Sequence, residues 1–223
     1  IGHAGRRGST RPRHRGLDLP LGASGWPLLS ASPLPYTSVS PAPREMDRAD
    51  MDRIRDAFVR AARAATDAGA DVLGIHLGHG YLLASFLSPL TNVREDGYGG
   101  SLEGRARFPL EVVEAVRAAW PENRPLWGTV TVDDWKRGGL SPMEAIELCA
   151  MLRDRGCDVL EPVAGQTTPD SRPTFGRMFL APYADRVRNE VGVATMTSGG
   201  ITTTGQVNTL VAGGRADLCV MDP

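Results

Sequence analysis

From Asp47 to Met221 the sequence alternates short apolar runs with longer stretches of helical period, and few folds accept that regularity. Met51, Ile54, Phe58, Ala61 and Ala65 recur at helical spacing, and Gly69 stops the run. Asp71 to His76 then reads as a short buried strand. A helix follows from about Leu102 to Ala118, with Phe108, Val112, Val113 and Val116 on one face, and Pro125 to Val132 is the next strand. Ser141-Pro-Met-Glu144 has the chemistry of a helix start: a hydroxyl for exposed amides, proline at the first position, a glutamate that reaches back. That helix runs to Arg155 and ends at Gly156. Val159 to Val163 is a strand, Phe179 to Glu190 a helix, Val193 to Thr197 a strand. Thr203 to Gln206 is a second capping box, opening a helix that ends at Gly213-Gly214, and Ala216 to Met221 is a last strand. Alternation of this kind predicts a parallel sheet with helices packed outside it. Pattern alone does not separate an open doubly wound sheet from a barrel.

Composition excludes more than it assigns. The chain has 223 residues and a formal net charge of −1, enough for one domain with one sizeable core. So balanced a charge gives no reason to expect nucleic acid or an acidic membrane as partner, and no apolar run reaches transmembrane length. Cys149, Cys157 and Cys219 are too few and wrongly spaced for a disulfide framework or a zinc site, which implies a reducing, cytoplasmic compartment. Cys149 and Cys219 sit in apolar patterns and read as core residues. Residues 1–46 are rich in Gly, Pro, Arg and Ser and read as one long loop. Its basic run, Arg6, Arg7, Arg11, Arg13 and Arg15, reads first as a solvated surface and second as a site for an anion. The chain lacks an initiating Met and opens mid-motif, so the natural protein is expected to begin earlier.

The segment richest in chemistry is His76-Leu-Gly-His79-Gly-Tyr81, where a strand should end and a loop begin. In parallel β/α folds that end of the sheet carries the ligand site. Two imidazoles can donate to an oxygen that gains negative charge, and a phenol can hand over a proton. Structural histidines are the plain alternative. A metal site is a weaker one, because no third ligand stands at a convincing position.

Taken in order, His76 to Tyr81, Phe86-Leu-Ser-Pro89, Asn92, Arg94, Asp96, Tyr98-Gly-Gly-Ser101, Arg105 and Arg107-Phe108 resemble the central signature of the old yellow enzymes. His3-Ala-Gly-Arg6 resembles the end of that family's third strand and the loop after it. Ala164 to Met178 and Asp185 to Asn189 are similar to the reductase-like half of the bifunctional salicylyl-CoA and anthraniloyl-CoA monooxygenases.

The resemblance implies a (β/α)₈ TIM barrel, here incomplete: roughly strands 4 to 8 with the end of strand 3. It implies bound FMN, NAD(P)H as reductant, and an activated alkene or an aromatic acyl-CoA as small-molecule substrate. His76 and His79 would hold the substrate oxygen and Tyr81 would supply the proton. The FMN phosphate would lie at the loops after the last two strands, where Gly199 and Gly200 let amides approach an anion.

Three positions depart from the family pattern. Thr129 stands where the fifth strand usually carries an Arg toward the flavin. Asp222 stands where an Arg usually meets the phosphate, and Gly104 replaces an Asn. A carboxylate beside a phosphate is repulsive where Arg would pair. These departures keep open a non-catalytic barrel acting as scaffold for a fused monooxygenase domain. A metal-dependent barrel hydrolase is a third reading. Arg94, Asp96, Arg105 and Arg107 are read as an ion-pair network, and Trp135 as a packing residue.

Overall fold

The helix starts expected from capping chemistry are made in the computed structural model, which describes residues 1–222. The side chain of Arg13, part of the basic run, and Pro223 lie outside the described residues. In chain order the elements are β1 (Leu29–Ser30), β2 (Arg44–Glu45), α1 (Arg48–Asp67), β3 (Leu73–Leu77), α2 (Leu82–Leu87), α3 (Leu102–Ala119), β4 (Leu126–Asp133), α4 (Pro142–Asp154), β5 (Val159–Ala164), α5 (Ala181–Arg186), β6 (Ala194–Thr197), α6 (Thr204–Ala212) and β7 (Leu218–Cys219). Asp47, Ser141 and Thr203 each accept from the amide three residues on, and Asp50, Glu144 and Gln206 each reach back, closing three capping boxes.

Strands β3 to β7 form one parallel sheet in sequence order. Ile1 continues it past β3: its carbonyl accepts from His76 N–H at 2.9 Å and its amino group donates to the Gly74 carbonyl. Along β3 burial alternates, with Leu73, Ile75 and Leu77 buried and Gly74 and His76 half-exposed. The buried side faces the helical layer, where α3 packs on α1, α2 and α4. The Phe86 and Phe108 rings meet there with centroids 4.8 Å apart. The other side of the sheet carries Trp127, Thr129 and Glu161 and stays partly open.

Several expectations need correction. The segment before α1 is not all loop, because Leu29–Ser30 and Arg44–Glu45 pair as two short parallel strands. The expected helix over 179–190 divides into α5 and a wider π-type turn, Val187–Val191. The last strand shrinks to two residues, which leaves Cys219 half-buried, whereas Cys149 and Cys157 are buried. The basic run is not simply solvated. Arg6 is buried and donates to the carbonyls of Leu34, Pro35 and Thr167, while Arg7 pairs with Asp18 at 3.1 Å. The loop network is also smaller than expected. Arg94 pairs with Asp96 and Arg105 with Glu144, but Arg107 lies over the Tyr98 ring and forms no ion pair among the described residues.

Candidate active site

His76 is the fourth residue of β3 and pairs in register with Thr129 of β4, which pairs with Glu161 of β5. Side chains alternate along a strand, so this row lies on the open side of the sheet. Past the strand end the chain turns sharply. His79 has φ +57° and Gly80 φ +69°, both left-handed. A side chain at Gly80 would meet the backbone of Gln166 and Thr167 at 2.9 Å, so glycine is required there. For His79 the strained conformation is held from two directions. Its N–H donates to Thr131 Oγ1 at 2.9 Å, and its carbonyl accepts from Arg7 Nη1 at 2.7 Å.

The turn brings the three rings together. The His76 and His79 ring centroids lie 5.3 Å apart, and those of His76 and Tyr81 5.1 Å apart, both edge-on. The Arg7 guanidinium lies over Tyr81 at 5.2 Å and over Tyr36 at 4.4 Å. Burial pushes both imidazoles below their ordinary pKa. His79 falls to about 4, with His76 and Arg7 adding to the effect. Both rings are therefore neutral near pH 7, each with one N–H to give. Nδ1 of His76 is buried and has no hydrogen-bond partner among the described residues. A buried polar atom without a partner is costly, and His76 itself lines a cleft.

That cleft has a volume of about 430 Å³. His76, His79, Thr129, Glu161, Phe179, Gly199 and Asp222 all line it. The two imidazoles and Gly199, expected at opposite ends of a flavin site, thus open on one space. Phe179 belongs to an aromatic group with Trp135 and Phe175, whose neighbouring centroids are 5.3–6.0 Å apart. Trp135 packs, as expected, and also donates to Tyr183 Oη, which donates to Asp133.

Four participants escaped the reading of the sequence. Arg7 was seen only as part of a basic run. Thr131 follows Thr129 by one strand repeat, and that period is the signal that would have found it. Glu161 is a charge inside an apolar strand, which is itself a flag. Phe179 was counted as the start of a helix.

The family model described as NADH:flavin oxidoreductase / NADH oxidase family matches residues 27–222. The chain belongs to this family. An NADPH dehydrogenase of Geobacillus thermodenitrificans is 37% identical over 86% of the chain. The chain spans 55% of that relative's length. Among solved structures, 2-naphthoyl-CoA reductase in complex with 2-naphthoyl-CoA superposes with a TM-score of 0.81 at 26% identity, over 88% of this chain and 31% of that one. Histamine dehydrogenase from Rhizobium sp. 4-9 gives the same TM-score and identity, over 100% of this chain and 32% of that one.

The flavin of this NADH:flavin oxidoreductase family is FMN, and the cleft suits its two ends differently. The ring end fits: the space is open, the imidazoles are neutral, and one buried nitrogen lacks a partner. The phosphate end does not. Gly199 and Gly200 take left-handed φ of +82° and +74°, as an anion loop would. The Gly200 N–H, however, already donates to Asp222 Oδ2 at 2.6 Å. Thr202 N–H and Thr203 N–H both donate to Gln206 Oε1, at 2.8 and 3.0 Å. Thr129 does not offer a cation either, since its hydroxyl donates to Glu161 at 2.7 Å.

Proposed function

We propose that the chain is the catalytic-face segment of a flavin-dependent NAD(P)H oxidoreductase that reduces a carbon–carbon double bond conjugated to a carbonyl. The sheet is read as an arc of a (β/α)₈ barrel. The grouping of the His76, His79 and Tyr81 rings at one strand end carries the reading, with both imidazoles lining the cleft and Nδ1 of His76 without a partner among the described residues. In the family the redox chemistry belongs to the flavin, and the protein binds and orients. Here two neutral imidazoles can donate to the substrate oxygen, which gains enolate-like charge as the conjugated carbon is reduced. Preset donors need little rearrangement to meet that charge. The Tyr81 hydroxyl is then available to protonate the neighbouring carbon.

An aromatic acyl-CoA is the substrate we favour. The likeness to 2-naphthoyl-CoA reductase and to the reductase-like half of salicylyl-CoA monooxygenases supports it. So does the aromatic wall of Phe179, Phe175 and Trp135, with Phe175 72% exposed beside the cleft. Apolar faces of this kind suit a planar ring. Three unpaired cysteines fit a cytoplasmic setting. A second reading, a non-catalytic partner of a fused monooxygenase domain, is favoured by the carboxylate of Asp222 on the glycine loop.

The test is to titrate the purified chain with FMN, following flavin fluorescence, and then to measure NADPH oxidation with an α,β-unsaturated thioester. Saturable binding and turnover that is lost in His76→Ala and Tyr81→Phe support the enzyme. A folded chain that binds no flavin favours the non-catalytic reading.

A further inference from the structure

The Gly199-Gly200 loop has the backbone of an anion site and holds an anion already, one that belongs to the chain. Asp222 is fixed at both ends of its residue. Its N–H donates to the Ile201 carbonyl at 2.8 Å, and its Oδ2 accepts from Gly200 N–H at 2.6 Å. The loop cannot widen by adding a side chain, because a Cβ on Gly200 would meet the Gly176 carbonyl at 2.2 Å. The next two amides that an incoming anion would seek, those of Thr202 and Thr203, are bonded to Gln206. Glu161 adds a second carboxylate to the same cleft, whose two histidines are neutral. Among the described residues lining the cleft there is no Lys or Arg. A phosphate dianion entering here would lose solvation, meet two like charges, and find the amides of Gly200, Thr202 and Thr203 taken.

We propose that Asp222 is a built-in substitute for the flavin phosphate, so that this cleft receives the ring and ribityl parts of a flavin without recognising a phosphate ester. The proposal rests on the flavin reading above and narrows its ligand: riboflavin binds as well as FMN. Asp222→Asn keeps an acceptor near Gly200 and removes the charge, whereas Asp222→Arg supplies the cation that a phosphate would pair with.

Two measurements decide it, both on the full chain. The first titrates wild type and Asp222→Arg with FMN and with riboflavin by fluorescence. Wild type is expected to bind the two within about threefold of each other, and the Arg variant to prefer FMN by tenfold or more, the factor one charge-assisted contact supplies. A wild-type preference for FMN above tenfold overturns the proposal. The second follows the Gly200 amide resonance of ¹⁵N-labelled chain during titration with inorganic phosphate. No saturable shift in wild type and a saturable shift in Asp222→Asn support the substitute role. A saturable shift in wild type overturns it. If neither flavin binds wild type, the flavin reading fails, and the amide titration still decides whether Asp222 closes the loop. Circular dichroism of both variants confirms that the fold is kept.

Discussion

The backbone N–H of His79 donates to Thr131 Oγ1 across 2.9 Å, tying a left-handed turn to the neighbouring strand. Thr131 is buried, so water does not replace it. Thr131→Val keeps the shape and removes the acceptor, leaving a part-buried amide unpaired at a cost of about 1–2 kcal/mol. Urea unfolding should show that loss. The released turn should also lower kcat for NADPH oxidation by tenfold or more, because the ring of His79 no longer has a fixed position. Thr131→Ser, which keeps the hydroxyl, should restore most of both.

His79 makes stability depend on pH in a defined direction. Its pKa in the folded chain is about 4, against 6.5 for the free side chain. Between these values the unfolded chain holds the proton and the folded chain does not, so stability rises with pH through this window. It is complete above about pH 6.5 and is lost as pH falls toward 4. The size is at most about 3 kcal/mol, at 1.36 kcal/mol per unit. Melting temperature followed from pH 7 to pH 4.5 should fall less steeply in His79→Gln than in wild type. Equal slopes would show that His79 is not held neutral.

Asp134 carries a structural load at the same end of the sheet. It is 1% exposed and accepts from Ser88 Oγ at 2.5 Å, from Leu140 N–H at 2.7 Å and from Thr167 Oγ1. Asp134→Ala strands three buried donors from three loops. Denaturant unfolding should report a loss on the order of 3 kcal/mol or more. An unchanged midpoint would mean that the loops close without it.

Glu161 should oppose an anionic ligand in the cleft. Glu161→Gln keeps an acceptor for the Thr129 hydroxyl and removes the charge. FMN affinity is expected to rise severalfold, and the gain to shrink as salt is added, since screening already weakens the repulsion in wild type. Fluorescence titration at low and high salt checks both parts.

The order of elements was readable because its signals are local. Ser141 with Glu144 and Thr203 with Gln206 announce their helices within four residues, and both boxes are made. His76, His79 and Tyr81 were readable for a similar reason: they surround one strand end. What escaped depends on distant partners. Leu82–Leu87 is a six-residue helix buried on every side, so it shows no polar face and no period. Arg6 looks like any surface arginine, because carbonyls accept its protons and no side chain marks them in the sequence. Gly199-Gly200 reads as an anion loop from its residue type. The family resemblance placed Asp222, 22 positions on, beside that loop, but that its carboxylate accepts from the Gly200 N–H is visible in the structure alone.

Arg6 also sets an order of events during synthesis. One of its carbonyl partners, on Thr167, stands 161 residues later in the chain. At about 5–20 residues per second a ribosome takes on the order of ten seconds or more to make that partner. Through that interval the segment around Arg6 carries a guanidinium whose berth is unfinished. A segment made well before Thr167 is thus locked in place only after it, and a stall before Thr167 leaves that segment open to proteases and chaperones.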